Sequence, residues 1–105
     1  MPLGYVYLLQ NVYDETYKIG FTTKSVEARV KQLSTGAAKK IIIVQYFKSL
    51  HYRKIEKYLH RYFKHAHDRG EWFILTDEEV DNFLTVCKQI EEANNILIKR
   101  NNFFI

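Results

Sequence analysis

A lysine occurs inside an otherwise apolar segment near the amino terminus. Lys18 lies in residues 17–22, which have the composition of a β-strand, and alternation puts it on the same face as Gly20. Burial among apolar neighbours disfavours the charged form of a lysine, and this is how a lysine becomes a usable general base. The alternative is an edge-strand lysine that blocks unwanted strand pairing, and the strand alone favours that alternative.

Two predicted helices carry groups that suit phosphate chemistry. Arg29 flanks the apolar stripe of the first helix, and a planar, permanently charged guanidinium is well shaped to bind phosphate. In the second helix Arg53, Glu56 and His60 fall at positions i−3, i and i+4 and form one stripe. A lone carboxylate suits Mg²⁺, which completes its shell with water and phosphate oxygens. Taken singly, the arginine is better explained as a solvated side chain and the stripe as a surface ion pair.

Other common site chemistries are not indicated. His60, His65 and His67 have no matching cysteine pair, and their spacing fits no standard zinc finger. Cys87 lies on the apolar face of the last predicted helix, which argues against a nucleophilic role. The sequence also lacks a glycine-rich phosphate loop and the short motifs of serine hydrolases and zinc proteases.

Hydrophobic periodicity predicts the elements that must position these groups. The expected fold class is α/β, a single small domain in the order β-β-α-β-α-β-α with an antiparallel opening hairpin. Thr22 or Thr23 is expected to cap the first helix, which ends near Ser34 before a break at Gly36, and residues 76–79 read as a capping box. The other predicted elements are strands at 5–10, 17–22, 41–47 and 71–75, turns at 11–16 and 67–70, and helices at 51–66 and 77–93.

The length of 105 residues allows one domain, predicted here as residues 1–93 with a C-terminal tail at 94–105. Asn94 and Asn95 are expected to interrupt the last helix. The tail ends in the apolar residues Phe103, Phe104 and Ile105. It could extend the helix, dock on the sheet or meet a partner, including a second copy of the chain, and the sequence does not choose among these.

The overall charge and hydropathy restrict the class of protein. The net charge of +4 suits a polyanionic partner without demonstrating one. Since no apolar run approaches the roughly 20 residues needed to span a bilayer, we expect no membrane association. The single cysteine, Cys87, excludes an internal disulfide. We therefore expect an intracellular protein, in the cytoplasm or, in a eukaryotic host, the nucleus.

Four short motifs in a fixed order resemble the GIY-YIG nuclease family, in particular a short branch found in phages, viruses and bacteria. Residues 4–7 (GYVY) and 17–20 (YKIG) look like the two half-motifs of its opening hairpin. Residues 22–29 resemble the segment that ends in the helical arginine of the family, and residues 55–63 resemble the helix that carries its metal-binding glutamate. Residues 70–73 (GEWF) look like the closing signature of that branch.

The resemblance implies an endonuclease that hydrolyses DNA phosphodiester bonds with Mg²⁺ or Mn²⁺. Tyr7 matches the tyrosine that assists deprotonation of the attacking water, and Lys18 stands where most members have a second tyrosine and some have a lysine base. Arg29 matches the arginine that stabilises charge on the phosphate, and Glu56 matches the protein ligand of the metal. Glu71 stands near the position of an asparagine in many members and is a candidate polar or metal-near group.

The remaining candidates are accessory residues and DNA contacts. The accessory candidates besides Glu71 are Tyr5, Tyr17 and His60. The candidate phosphate contacts share a positive charge and comprise Lys24, Lys31, Lys39, Lys40, Arg53 and Arg61. Two rival interpretations stay open: a catalytically weak or inactive nucleic-acid-binding module on the same fold, and an interaction protein that docks through its apolar C-terminus.

Overall fold

The fold consists of one antiparallel sheet with helices on both faces. The computed structural model describes residues 3–35 and 39–103, with side chains up to residue 97. The strands are β1 (Gly4–Asn11), β2 (Thr16–Thr22), β3 (Ile41–Ser49), β4 (His67–Arg69) and β5 (Trp72–Phe73). Their order across the sheet is β3-β1-β2-β5-β4, and each neighbouring pair is antiparallel. The α/β class and the opening hairpin are therefore confirmed.

In the described part of the chain, four helices pack against this sheet or against one another. They are α1 (Val26–Leu33), α2 (Tyr52–Tyr62), α3 (Asp77–Asp81) and α4 (Phe83–Phe103). A single 3-10 turn at Lys64–Ala66 links α2 to β4. Within the described residues, no helix is both long enough and apolar enough to cross a bilayer.

Alternation along the central strands divides the core between the two faces of the sheet. Val6 and Leu8 of β1 pack with Ile19 of β2 against α2 and α4. Tyr7 and Leu9 face the other way and pack with α1. Since directly paired residues of antiparallel strands share a face, Lys18 and Gly20 lie with Leu9 and Tyr7 on the α1 side. The predicted common face of Lys18 and Gly20 is confirmed.

The start of α1 differs from the prediction. Ser25, rather than Thr22 or Thr23, is the N-cap, and its hydroxyl accepts a hydrogen bond from the Ala28 N–H at 3.1 Å. The Thr22 hydroxyl instead accepts from the Lys24 N–H at 3.1 Å in the turn between β2 and the helix. The strand therefore continues through Thr22, and the helix begins later than the threonines suggested.

The region between α2 and α4 also differs in detail. The helix α2 ends at Tyr62, not at Ala66, because the chain tightens into the 3-10 turn. His67–Arg69, predicted as a turn, forms β4, and the predicted strand 71–75 shortens to Trp72–Phe73. The capping box of Thr76 and Glu79 is confirmed, but it begins the short helix α3, which ends at Asp81 with Asn82 as its C-cap before α4 starts.

The predicted interruption at Asn94 is wrong, because α4 runs through it to Phe103. Asn94 is buried, and its side-chain amide donates to the Ile90 carbonyl at 3.0 Å, so the helix itself satisfies the polar group. The first part of the tail is thus a continuation of the helix. The predicted break at Gly36 and the docking residues Phe104 and Ile105 lie outside the described residues.

Candidate active site

The site is built around Tyr7, whose ring crosses from β1 to β2. Tyr7 pairs with Gly20, and a Cβ added at Gly20 would lie 2.5 Å from the Tyr7 hydroxyl oxygen. Because ordinary contacts of such an atom begin near 3.4 Å, only a residue without a side chain fits beneath the phenol. Gly20 therefore lets the Tyr7 hydroxyl lie over the neighbouring strand.

Arg29 reaches the same hydroxyl from α1. Its Nε donates to the Tyr7 hydroxyl oxygen at 3.3 Å, and its Nη1 donates to the Gln32 side-chain oxygen at 3.2 Å. Burial raises the pKa of the Tyr7 phenol, Glu71 and Glu56 act in the same direction, and Arg29 opposes them. The phenol thus keeps its proton at neutral pH and can donate a hydrogen bond.

Lys18 lies in the interior of the sheet and pairs with β5. It is directly opposite Trp72 in the β2–β5 ladder, so the alternative of an edge-strand lysine is wrong. Its side chain is nearly buried, and its Nζ lies 3.0 Å from a carboxylate oxygen of Glu71 and 5.5 Å from the centre of the Trp72 ring. The ion pair and the ring hold the lysine head in one position on the α1 side of the sheet.

At the end of the β2–β5 ladder, the side chain of His60 bonds a backbone carbonyl of β2 that no residue of the described strand β5 pairs with. The backbone carbonyl of Glu71 accepts the last hydrogen bond of that ladder, from the Ile19 N–H at 3.2 Å. The chain turns just before Glu71 at Gly70, which has a φ of 53°. The Nε2 of His60 lies 2.9 Å from the Ile19 carbonyl oxygen. Since a carbonyl only accepts, that nitrogen carries the proton and is a donor.

Two carboxylates meet beside this histidine. Glu56 comes from α2, Glu71 from the turn before β5, and the ligand atoms of Glu56, Glu71 and His60 all lie within 4.8 Å of one another. Burial raises the pKa of the Glu56 carboxyl, and the neighbouring Glu71 adds to this effect, whereas His60 and Lys18 oppose it. A bound cation would reduce the repulsion between these two close carboxylates.

The donor chemistry of this group fits a hard divalent cation. Two carboxylates supply oxygen ligands, which Mg²⁺ and Mn²⁺ prefer, and water or phosphate oxygens can complete the shell. The Nε2 of His60 is engaged with the Ile19 carbonyl, so the carboxylates of Glu56 and Glu71 are the ligands available here. A zinc site with several nitrogen or sulfur ligands does not match this set.

The other accessory candidates divide between the two faces of the sheet. Tyr5 lies on the α1 side, two residues before Tyr7, and is half-buried. Tyr17 is buried on the opposite face, where its hydroxyl accepts from the Gln10 amide at 3.3 Å. The sheet therefore separates Tyr17 from the cluster of ionisable side chains.

The predicted phosphate contacts are exposed but scattered. Lys39 lies with its Nζ 5.9 Å from the centre of the Trp72 ring, which Lys18 also approaches. Arg53 packs its guanidinium over the Phe21 ring at 5.7 Å, one turn before Glu56. Arg61 lines a separate groove with residues of α4. The remaining members are exposed on α1 or on the segments that flank it, and these are Lys24, Lys31 and Lys40.

Two contributions to the cluster were not evident from the sequence. The sequence contains only a weak indication that Gly20 makes room for the Tyr7 phenol, namely a glycine inside an apolar strand. For the hydrogen bond from His60 to Ile19 there is none, because it depends on where β5 begins. The cluster as a whole combines a protonated phenol, a guanidinium, a lysine and two carboxylates, a set able to bind and polarise an anionic ester.

Comparison with known proteins gives one family. No curated protein and no solved structure matches the chain significantly. The family model described as the T5orf172 domain matches residues 4–88, which include every member of the cluster. These domains are small and related to nucleases found in phage. The chain belongs to the T5orf172 domain family.

Proposed function

We propose that this protein is a metal-dependent endonuclease of the GIY-YIG type that hydrolyses phosphodiester bonds in DNA. The observation that carries the proposal is the convergence of Tyr7, Lys18, Arg29 and Glu56. These residues come from β1, β2, α1 and α2, so only the tertiary packing of the four elements brings them together. Family membership supports a nuclease or DNA-binding role, and the chemistry of the cluster favours hydrolysis.

The residues divide the work of an in-line displacement. One bond forms between phosphorus and the oxygen of water, and the bond from phosphorus to the leaving nucleotide oxygen breaks. As the proposed general base, Lys18 first loses a proton from its ammonium group to solvent and then accepts the proton of the attacking water, while the Tyr7 hydroxyl positions that water by hydrogen bonding. The guanidinium of Arg29, which already contacts the Tyr7 hydroxyl at 3.3 Å, stabilises the charge that develops on the phosphate.

The carboxylates supply the place for a divalent ion. Glu56 and Glu71 would hold Mg²⁺ or Mn²⁺. When bound, such an ion neutralises charge on the phosphate and on the leaving oxygen. Glu71 also pairs with Lys18, so the same carboxylate connects the lysine to the metal ligands. The carboxylates are otherwise a disadvantage on a surface that binds a polyanion, which favours an enzyme over a module that only binds nucleic acid.

A nicking assay with the wild-type protein distinguishes the proposed endonuclease from the rival interpretation, a module that only binds nucleic acid. Metal-free protein is mixed with supercoiled plasmid, first in EDTA and then after addition of Mg²⁺ or Mn²⁺, and nicked product is followed on a gel. We expect nicking only after the ion is added. If the protein binds DNA in a salt-sensitive manner in all conditions but never nicks plasmid, branched DNA or RNA, the binding module is correct and the endonuclease is wrong.

A further inference from the structure

The sheet face that carries Tyr7 is only partly covered. The helix α1 packs over one end of β1 and β3, where Leu9, Ile41 and Ile43 form a small core with Val26. Towards the other end of β3, Tyr46 is 47% exposed although it pairs directly with Tyr7 across the β1–β3 ladder. An exposed tyrosine thus lies on the same face as the cluster, one strand away from Tyr7.

A β-bulge in β3 puts this tyrosine on that face. Leu8 pairs with Gln45 and Leu9 with Ile43, so Val44 is an extra residue between them. Without it, the alternation that starts at Ile41 and Ile43 would turn Phe47 toward the cluster and Tyr46 toward the core. With it, Phe47 packs in the core beneath the sheet and Tyr46 is exposed beside Tyr7.

Tyr46 is held in place by its neighbours and lies beside a positive charge. The Tyr5 ring meets it edge to face, with 5.8 Å between ring centres and an angle of 74° between planes. Lys48, which pairs with Tyr5, keeps its Nζ 5.9 Å from the centre of the Tyr5 ring. The surface formed by Tyr5, Tyr46 and Lys48, here named the tyrosine platform, therefore combines rigid aromatic area with a cation.

We propose that the tyrosine platform stacks an unpaired nucleobase of the DNA strand whose phosphate is bound at Tyr7 and Arg29. Exposed aromatic rings beside basic residues bind single strands, because each base has a stacking face and each phosphate a charge. Tyr46 lies on the strand next to that of Tyr7, about 5 Å away, so the exposed platform lies on the same face as the phosphate-binding group Arg29, which contacts the Tyr7 hydroxyl. This inference rests on the proposed function and names the substrate class as DNA with an unpaired nucleotide next to the cleavage site.

The same geometry prevents paired bases within a duplex from stacking on the tyrosine platform. In a duplex the faces of the bases are covered by their neighbours, so a base reaches a flat tyrosine only if it is unpaired or displaced from the stack. Blunt duplex DNA should then bind through phosphate contacts alone. The difference between single-stranded and duplex binding is the property that depends on Tyr46.

The test is fluorescence anisotropy in EDTA, which measures binding without cleavage. The probes are a labelled oligonucleotide, the same backbone with abasic sites, and the blunt duplex. We expect Tyr46→Leu to weaken single-strand binding by about 5- to 100-fold and to leave duplex binding unchanged. Tyr46→Phe keeps the ring and should bind as wild type does. Tyr58→Leu is the matched control, since Tyr58 is 45% exposed but lies on α2.

The abasic probe tests the proposal even if a variant folds poorly. Wild-type protein should lose single-strand affinity when the bases are removed, by a factor similar to that of Tyr46→Leu. Equal affinity for the normal and abasic strands would overturn the platform, as would equal weakening of single-strand and duplex binding by Tyr46→Leu. Plasmid nicking is measured in a separate assay. If the protein nicks plasmid but binds the normal and abasic oligonucleotides equally well, the tyrosine platform is wrong and the proposed endonuclease activity is still supported.

Discussion

Replacing Gly20 by alanine adds one methyl group at the point where the Tyr7 phenol crosses β2. The added carbon would lie 2.5 Å from the hydroxyl oxygen, 2.7 Å from Cζ and 2.9 Å from Cε1 of Tyr7. Since ordinary contacts lie at 3.4–4 Å, the hydroxyl has to move by about 1 Å. The movement changes the geometry of the hydrogen bond that the hydroxyl now accepts from the Nε of Arg29 at 3.3 Å.

The expected effects on activity and on stability are separate. A displacement of about 1 Å in a catalytic group costs about 100-fold in rate, so single-turnover nicking by Gly20→Ala should fall by that factor. Overpacking of a buried site costs about 1–3 kcal/mol, which lowers Tm by at least about 4 °C in a domain of this size. The rate is measured with enzyme in excess and well below Tm, so that it reports on folded protein.

A second glycine provides the matched control. A Cβ at Gly4 would overlap the ring of Tyr52, which is as severe a contact but involves the first residue of α2, whose ring packs in the core on the other face of the sheet. We expect Gly4→Ala to lose a similar amount of stability and to keep its single-turnover rate. In the Gly20→Ala background, adding Tyr7→Phe should lower the single-turnover rate only slightly further, because the hydroxyl is already displaced.

Two results would refute this reasoning. One is a folded Gly20→Ala protein that nicks DNA at the wild-type rate, which would mean that the position of the Tyr7 hydroxyl does not matter. The other is a Tyr7→Phe effect of the same size in the wild-type and Gly20→Ala backgrounds, which would mean that the two changes act independently.

Three further predictions concern the rest of the fold. Thr76→Ala removes the capping box of α3 and should cost about 1 kcal/mol, seen as a Tm lower by about 4 °C, whereas Thr85→Ala on the exposed surface of α4 should be neutral. Hydrogen bonds from Thr76 and His65 lower the pKa of Glu79 below its ordinary 4.5, so Glu79→Gln should lower Tm at neutral pH. That difference should vanish as the pH falls through the folded-state pKa, where wild-type Glu79 also becomes protonated. Burial raises the pKa of Cys87 to about 12, so the native protein should not react with a thiol reagent at pH 8, and a fast reaction without denaturant would contradict its buried position.

The sequence was informative where a side chain depends on local periodicity. The period of two in the second strand correctly put Lys18 and Gly20 on one face, and the apolar stripe around Glu56 correctly predicted its helix. The capping box at Thr76 was also readable, because both of its partners lie within one helical turn. These features need only neighbours along the chain.

The sequence was uninformative where the site depends on distant pairing. Glu71 meets Lys18 because β5 pairs with β2, and residues 53 positions apart carry no local signal of contact. The bulge at Val44 decides which face Tyr46 occupies, and an apolar run of β-formers does not reveal where an extra residue is placed. The choice of Ser25 over two nearby threonines as helix cap likewise depends on how far β2 pairs with β1.

The most direct test of the central claim is plasmid nicking by Glu56→Gln in Mn²⁺, compared with a control glutamate variant purified in the same way. Glu78→Gln serves as that control, since Glu78 is exposed in the first turn of α3. We predict that Glu78→Gln nicks at the wild-type rate and that Glu56→Gln loses at least about 100-fold while still binding DNA. Equal nicking by the two variants would contradict the account, because the activity would then not depend on the carboxylate at the centre of the site.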